Sequence, residues 1–156
     1  MDDCWHPTRD ANGTLQPDSS RFPDGMGPLV QYVHSLGLKF GIYTSVGTLT
    51  CHKGWSPGSF DHYPQDVALF AGWEVDYIKV DWCGENKTQQ DHIDFSRAVN
   101  QSGRHMVLEL CRGPYRDMDH WGYGMCGVEN HSVLALFTIN FWMAARASMH
   151  DYTPYF

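Results

Sequence analysis

The sequence predicts an α/β fold in which helices pack against a parallel sheet. Helical and strand-like segments alternate between residues 27 and 111, and three strands begin near residues 38, 75 and 106. These spacings from the start of one strand to the start of the next are typical of βαβ units. Polar residues follow the strands, at the edge where parallel α/β folds carry their chemistry. A doubly wound sheet and a (β/α)8 barrel both fit, but no Gly-x-Gly-x-x-Gly follows a strand, so a dinucleotide-binding version has no support.

The first half of the chain supplies one helix and one strand. Residues 1–25 are rich in Asp, Pro, Gly and Ser, which predicts loops. In "GPLVQYVHSLG" (27–37), apolar residues recur at helical spacing up to Leu36, and Gly37 marks the end of the helix. The short apolar and aromatic segment "LKFGIYT" (38–44) is typical of a buried strand.

The second half continues the alternation. "QDVALFAGW" (65–73) predicts a short amphipathic helix, and "VDYIKV" (75–80) predicts the next strand. "TQQDHIDFSRAVNQSG" (88–103) has helical periodicity and ends on glycine, and "HMVLELC" (105–111) predicts a further strand. The order of elements is therefore helix and strand in turn, as a sheet built from βα units requires.

Charge and composition limit the classes of partner. The chain has 156 residues, the size of one domain, with 18 acidic and 11 basic residues and a formal charge of −7. This balance argues against nucleic acid or an anionic membrane as the main partner. Six Trp and eight Tyr suit a site for a ring-shaped ligand, although a large aromatic core explains them equally well. The apolar run 133–147 is shorter than the about 20 residues of a membrane span and predicts a buried helix.

Cysteines and sequons favour the secretory pathway. The five cysteines form no CxxC pair, which argues against a zinc ribbon, and their odd number leaves one unpaired within this chain. Asn-x-Ser/Thr sequons at Asn12, Asn86, Asn100 and Asn130 favour a secreted, lysosomal or vacuolar glycoprotein with disulfides. No signal peptide precedes Met1, so either the protein is cytosolic or its true N-terminus lies upstream.

The segment "KVDWC" (79–83) ends a strand on two opposite charges. Residues two apart on a strand share a face, so Lys79 and Asp81 point one way, while Ile78 and Val80 point towards the covering helices. A structural ion pair is one interpretation, but burying charge is costly. The other is an ionised, oriented carboxylate beside a lysine, which a glycosidase nucleophile requires.

A series of motifs runs through residues 2–111. They are "DDCW" (2–5), "RFPDGM" (21–26), "YVHSLGLKFGIY" (32–43), "TC" (50–51), "PGS" (57–59) and "VDYIKVDWC" (75–83). Their identity and order resemble the melibiase family of α-galactosidases and α-N-acetylgalactosaminidases, glycoside hydrolase family 27. The resemblance implies a partial (β/α)8 TIM barrel as the catalytic domain, about strands three to five with their helices, over residues 1–124. A divergent apolar tail without resemblance is expected over residues 125–156, and its run 133–147 is either a buried helix or a segment that is not translated from the family's reading frame.

The resemblance also implies the chemistry. The family's reaction is retaining hydrolysis of terminal α-galactosides, so the expected partner is an α-galactoside oligosaccharide or glycoconjugate, with no cofactor and no metal. Asp81 is the implied nucleophile, and Lys79 is implied to hydrogen-bond sugar hydroxyls and to hold Asp81 ionised. Tyr43 is implied to lie beside the nucleophile. This assignment predicts that all three side chains meet at the carboxyl end of the sheet.

The implied sugar-binding residues lie outside the strands. Asp2 and Asp3 are implied to accept hydrogen bonds from the 4- and 6-hydroxyls of galactose, although a solvated terminus would explain the pair equally well. Trp5 is implied to wall the pocket, with simple packing as the alternative. Cys51 and Cys83 are implied to form a disulfide between the loops that follow two neighbouring strands.

The downstream motifs depart from the family pattern. A retaining glycosidase needs a second carboxyl as acid/base, which the family carries in Trp-Arg-x-x-x-Asp, and no Asp follows any arginine at that spacing after residue 111. Arg112 is a candidate substrate-binding residue because it stands where the family has a substrate-contacting Glu, and this difference leaves the choice between galactose and N-acetylgalactosamine open. Glu109 shares a strand face with Cys111 and is expected to be structural. The chain as given is therefore predicted to be an inactive part of an α-galactosidase; the alternatives are an α-N-acetylgalactosaminidase or a non-catalytic galactoside-binding module.

Overall fold

The computed structural model describes residues 1–52 and 56–111, together with the backbone of residues 135–137. A short antiparallel pair comes first, β1 (Thr8–Arg9) and β2 (Leu15–Gln16). The remaining strands form one parallel sheet in chain order, made of β3 (Gly41–Ser45), β4 (Tyr77–Asp81), β5 (Val107–Leu110) and β6 (Ala135–Phe137). The helices are α1 (Met26–Ser35), α2 (Tyr63–Gly72) and α3 (Gln89–Gln101), with α2 and α3 as the crossovers between neighbouring strands. The predicted alternation and the parallel pairing are therefore confirmed.

The sheet has one face in the core and one face that carries polar groups. Ile78 and Val80 on β4 are fully buried, and the same alternation buries Leu108 and Leu110 on β5. This outer face packs against apolar residues of the three helices, among them Met26, Val67 and Phe95. Because side chains alternate along a strand, the residues between them project from the opposite, inner face, as the sequence predicts for Lys79 and Asp81.

Register arranges the inner face in rows. Tyr43 on β3 stands opposite Lys79 on β4, and Lys79 stands opposite Glu109 on β5. One row further along, Ser45 stands opposite Asp81. A side chain on Gly41, in the row before, would come within 2.8 Å of the Tyr77 ring, so a glycine is needed there. Parallel pairing thus gathers polar residues that are far apart in sequence.

Local signals set the helix ends. Thr88 caps α3 with a reciprocal capping box, in which its hydroxyl and the Asp91 carboxylate each satisfy a free backbone amide of the first turn. α2 begins with Pro64 in its first turn and ends before Glu74, which adopts a positive φ of 65°. Among the described residues, no helix is both long enough and apolar enough to cross a lipid bilayer.

The structure corrects several details of the sequence-based prediction. Leu36 lies beyond the end of α1 and is 57% exposed, so it is not part of the buried face. The N-terminal residues contain β1 and β2 rather than loops alone. Residues 135–137, which were expected to be helical, form β6, because the open edge of β5 offers backbone groups for pairing. The rest of the 133–147 run lies outside the described residues.

Opposite the polar edge, Asp76 ties the amino ends of the strands together. Its carboxylate contacts His34 Nε2 at 2.6 Å, Lys39 Nζ at 3.1 Å and an Arg104 guanidinium nitrogen at 3.2 Å. It also accepts a hydrogen bond from the Phe40 amide. Burial alone would raise the pKa of Asp76, but these hydrogen bonds outweigh it and place the pKa below its usual value. This end of the sheet is therefore a structural ion cluster.

Candidate active site

Asp81 ends β4 with both carboxylate oxygens held. Oδ2 accepts a hydrogen bond from the Tyr43 hydroxyl at 2.8 Å, and Oδ1 accepts one from the backbone amide of Trp82 at 2.8 Å. The residue is half-buried on the inner face. Two donors on opposite oxygens fix the plane of a carboxylate, so Asp81 is oriented before any ligand arrives.

Tyr43 is a buried hydrogen-bond donor. Its side chain is 2% exposed, and its backbone carbonyl accepts a hydrogen bond from the Trp5 indole at 2.9 Å. Burial first, and then the hydrogen bond to Asp81, raise the pKa of Tyr43 far above its ordinary value. The hydroxyl therefore keeps its proton at physiological pH and continues to donate to Asp81.

Lys79 lies on the same face and forms no salt bridge with any carboxylate that the structure describes. Its ammonium sits 5.6 Å from the centre of the Tyr43 ring, within the range of a cation–π contact. Among the described residues, no carboxylate oxygen lies within the 4.0 Å of a salt bridge to Lys79 Nζ. The structural ion pair with Asp81 that the sequence allowed is thus not formed. A half-buried ammonium that makes no salt bridge to a described residue can donate hydrogen bonds to a ligand.

The N-terminal segment runs beside β3 and brings two carboxylates to the site. The Met1 ammonium donates to the carbonyl of Gly41 at 2.8 Å. Asp3 accepts hydrogen bonds from the backbone amides of Cys4 and His52, the second at 2.9 Å. Asp2 is exposed and accepts a hydrogen bond from the amide of Asp3. Asp3 is therefore fixed against the loop after β3, whereas Asp2 is free to turn towards a ligand.

A disulfide joins Cys51 and Cys83, which the resemblance paired. The Cys51 sulfur lies 2.9 Å from Asp81 Oδ2, and since a disulfide sulfur carries no proton this is a contact and not a hydrogen bond. The two sulfurs and the Asp81 carboxylate lie within 4.8 Å of one another, as metal ligands do. Because the sulfurs are bonded to each other, neither can be the thiolate that a metal binds.

Glycines allow the loops around this disulfide to touch. A Cβ on Gly47 would overlap the carbonyl oxygen of Cys83, and a Cβ on Gly58 would overlap the carbonyl oxygen of Gly47. Gly84 has a φ of 77° and would meet the backbone of Leu49. The loops after β3 and β4 are thus packed backbone against backbone, which holds the disulfide at the rim of the site.

Trp5 does not wall a ligand site. Its ring is 0% exposed and packs in the core against Phe70 and Trp73, with ring centres at 6.1 and 5.7 Å. The implied binding role is corrected accordingly: Trp5 anchors the N-terminal segment to α2 and β3, which positions Asp2 and Asp3. Arg112 and the downstream arginines, where the family motif would place an acid/base, lie outside the described residues.

Three residues near Asp81 were not singled out as site residues from the sequence. Ser45 accepts a hydrogen bond from the Cys83 amide at 2.9 Å and so ties the end of β3 to the turn after Asp81. Burial, and next the charge of Asp81, raise the pKa of the Cys111 thiol to about 12. His92 of α3 packs against Trp82 in a tilted arrangement, with the ring centres 4.7 Å apart. The signal for Ser45 and Cys111 was their position at strand ends, level with Asp81.

His92 predicts an acid-sensitive fold. Burial lowers the pKa of His92 from 6.5 to about 4, although the charges of Asp91 and Asp81 oppose the shift. The folded state therefore favours neutral His92, and its contribution to stability is complete above pH 6.5 and declines as the pH falls towards 4. We expect a loss of about 3 kcal/mol in the free energy of unfolding over that window.

Urea unfolding between pH 7.5 and pH 4.5 measures this effect. His92→Leu, which cannot be protonated, is expected to show a shallower decline than the unmodified protein. His52→Gln, a change at an exposed histidine, serves as the control and should follow the unmodified protein. Equal slopes for His92→Leu and the unmodified protein would refute the assignment.

Comparisons with known proteins agree with this geometry. The family described as alpha galactosidase A, a melibiase family, matches residues 1–126. A probable alpha-galactosidase of Dictyostelium discoideum is 43% identical over 128 residues, which make up 80% of this chain and 32% of that protein. An alpha-N-acetylgalactosaminidase of Homo sapiens is 44% identical over 116 residues, 73% of this chain and 28% of that protein.

A solved structure gives the same result. The α-galactosidase of Saccharomyces cerevisiae, determined with raffinose, matches with a TM-score of 0.72 and 34% identity over 80% of this chain and 28% of that chain. The chain spans about a third or less of the length of these proteins. The family match nevertheless covers most of its residues, including the strands that carry Tyr43, Lys79 and Asp81. The chain belongs to the melibiase-type alpha-galactosidase family, glycoside hydrolase family 27.

Proposed function

We propose that this protein takes part in retaining hydrolysis of terminal α-galactosyl residues, with Asp81 as the nucleophile. The observation that carries the proposal is the oriented Asp81 carboxylate on the same face as the ammonium of Lys79, which forms no salt bridge within residues 1–52 and 56–111. By contrast, the carboxylate of Asp76 at the other end of the sheet contacts His34, Lys39 and Arg104. An unpaired arrangement at the carboxyl end of a parallel sheet is typical of a catalytic site.

The covalent step follows from this geometry. A carboxylate oxygen of Asp81 attacks the anomeric carbon, the bond from that carbon to the leaving oxygen breaks, and a galactosyl ester of Asp81 forms. The departing oxygen takes a proton from an acid that the described residues do not identify. Water then releases the sugar with retained configuration. Tyr43 and the Trp82 amide hold the carboxylate in place throughout.

The substrate class is an α-galactoside. Asp2, Asp3 and Lys79 are proposed to bind the hydroxyls of the terminal sugar, since carboxylates accept hydrogen bonds from hydroxyls and an ammonium donates them. The yeast relative was determined with raffinose, which supports an oligosaccharide with a terminal α-galactosyl residue. The human relative is an alpha-N-acetylgalactosaminidase of similar identity, which keeps the acetamido sugar as the second candidate.

The same proposal covers the architecture and the location. We infer that the four parallel strands of the described residues are part of a (β/α)8 barrel, because the strands follow chain order and one face is covered by helices. A secreted, lysosomal or vacuolar location is supported by the disulfide and by Asn12, Asn86 and Asn100, which are exposed. Asn130 lies outside the described residues.

α-Galactosyl fluoride tests the nucleophile without the acid. Fluoride departs without protonation, so the reagent needs only a bound sugar and an oriented carboxylate. We expect mass spectrometry to find one added galactosyl residue on the peptide that contains Asp81. β-Galactosyl fluoride is the control reagent and should not label the protein.

The outcome separates the candidate functions. Labelling at Asp81 supports a glycosidase nucleophile, and faster labelling by the corresponding N-acetylgalactosaminyl fluoride would favour the second candidate. Binding of galactose without any labelling would instead support a non-catalytic binding module. Labelling that maps to a different carboxylate would exclude Asp81 as the nucleophile.

A further inference from the structure

Glu109 lies beside Lys79 on the inner face of the sheet. β5 pairs with β4 so that Glu109 stands opposite Lys79, which in turn stands opposite Tyr43. Neighbouring strands are about 4.8 Å apart, so the three residues form one row. Asp81 belongs to the next row, two residues further along β4. Glu109 is therefore a neighbour of the proposed catalytic group.

Within the described part of the chain, the carboxylate of Glu109 lacks the ion-pair partners that Asp66 and Asp76 have. Glu109 is half-buried between Leu108 and Leu110, which point into the core. Within residues 1–52 and 56–111, no side chain forms an ion pair with it. By contrast, Asp66 and Asp76 each contact at least one guanidinium. Partial burial of a carboxylate without such partners costs free energy. A purely structural role, as expected from the sequence, does not explain that cost.

Electrostatics around Glu109 favour a ligand that donates hydrogen bonds. Burial raises the pKa of Glu109, and the negative charge of Asp2 raises it further. Lys79 supplies a donor, and Asp2, Asp81 and Glu109 supply acceptors around it. A sugar hydroxyl fits such an arrangement, because it can accept from the ammonium while it donates to a carboxylate.

We propose that Glu109 determines specificity in the sugar site: its carboxylate accepts a hydrogen bond from one hydroxyl of the galactosyl residue that Lys79 also contacts. This inference rests on the proposed function and deepens it. It assigns a binding role to Glu109 and leaves the covalent step to Asp81.

A series of deoxygenated sugars tests the proposal. Titrations of the full chain compare galactose with the monodeoxygalactoses that lack the 2-, 3-, 4- or 6-hydroxyl, for the unmodified protein and for Glu109→Gln. We expect the variant to bind galactose about tenfold more weakly, the size of a hydrogen bond to a charged acceptor. For one deoxy sugar the two proteins should bind equally, because the partner hydroxyl is missing. The control Glu85→Gln, in an exposed loop, should match the unmodified protein throughout.

Each result distinguishes a sugar-binding role of Glu109 from a purely structural role. A Glu109→Gln variant that binds every sugar as the unmodified protein does, or that loses affinity equally for all of them, overturns the proposal. If Glu109→Gln does not fold, Glu109→Asp replaces it, since the shortened carboxylate should give the same hydroxyl-specific loss. Labelling of Asp81 by α-galactosyl fluoride without any hydroxyl-specific loss would reject Glu109 alone. If the unmodified protein neither binds these sugars nor becomes labelled, the proposed function fails as well.

Discussion

Replacing Asp81 with asparagine is expected to slow galactosyl transfer to the protein by about 10,000-fold or more. The amide has nearly the shape of the carboxylate, but its oxygen is a poor nucleophile and carries no charge to stabilise the developing positive centre. The amide can still accept a hydrogen bond from the Trp82 amide, so the local fold should persist. Galactose should therefore bind Asp81→Asn with an affinity close to that of the unmodified protein.

The measurement is the rate of mass gain with α-galactosyl fluoride, paired with a galactose titration. Asp24→Asn, a change of the same kind at an exposed loop carboxylate, is the matched control and should label at the normal rate. Loss of labelling together with loss of galactose binding would point to a binding role for Asp81 and not to nucleophilic attack. An unchanged labelling rate would remove Asp81 from the mechanism.

The sequence was sufficient for the order of helices and strands between residues 27 and 111 and for the side that Asp81 faces, but not for β1, β2 or β6. Alternation along "VDYIKVD" places Lys79 and Asp81 opposite Ile78 and Val80, and the structure has this arrangement because a strand allows no other when one face is buried. The register between strands could not be derived in the same way. It depends on the lengths and packing of α2 and α3, and it is the register that puts Glu109 next to Lys79.

Trp5 and Lys79 show a second limit of prediction from the sequence, because their contacts depend on residues far away in the chain. An aromatic residue next to two carboxylates suits a sugar site and a core equally well, and the positions of Phe70 and Trp73 in three dimensions place Trp5 in the core. Likewise, a lysine two residues before an aspartate can pair with it or not. The Tyr43 hydroxyl occupies one oxygen of Asp81, and Lys79 lies over the Tyr43 ring instead. Which side chain becomes the partner of Asp81 depends on the three-dimensional arrangement, so the sequence alone could not predict it.

Replacing Asp66 with alanine is expected to lower the free energy of unfolding by about 3–5 kcal/mol, the cost of breaking a buried ion pair. Asp66 is 0% exposed, and its two oxygens accept hydrogen bonds from Arg9 at 2.7 and 2.6 Å. The same guanidinium donates to the carbonyls of Gly13 and Gly58, each at 2.7 Å. Removal of the carboxylate leaves the Arg9 charge largely buried without a counter-charge.

The exposed pair of Asp94 and Arg97 provides the matched control. Their side chains are 42% and 54% exposed, so Asp94→Ala should cost about 0.5 kcal/mol or less. Urea unfolding of both variants gives the comparison. The double replacement Arg9→Met with Asp66→Leu should recover part of the loss, because neither charge then remains buried. Equal stability of Asp66→Ala and Asp94→Ala would contradict the burial of the pair.

Loss of the Arg9–Asp66 pair is also expected to affect the active site, because Arg9 joins two parts of the chain that flank that site. One is the N-terminal segment, which carries Asp2 and Asp3, and the other is the loop at Gly58, which packs against Gly47 beside the disulfide. In the proposed function, a weakened Arg9–Asp66 pair should therefore reduce galactose affinity as well as stability. Asp94→Ala should leave the affinity unchanged, so a loss of affinity confined to Asp66→Ala would connect this buried pair to the sugar site.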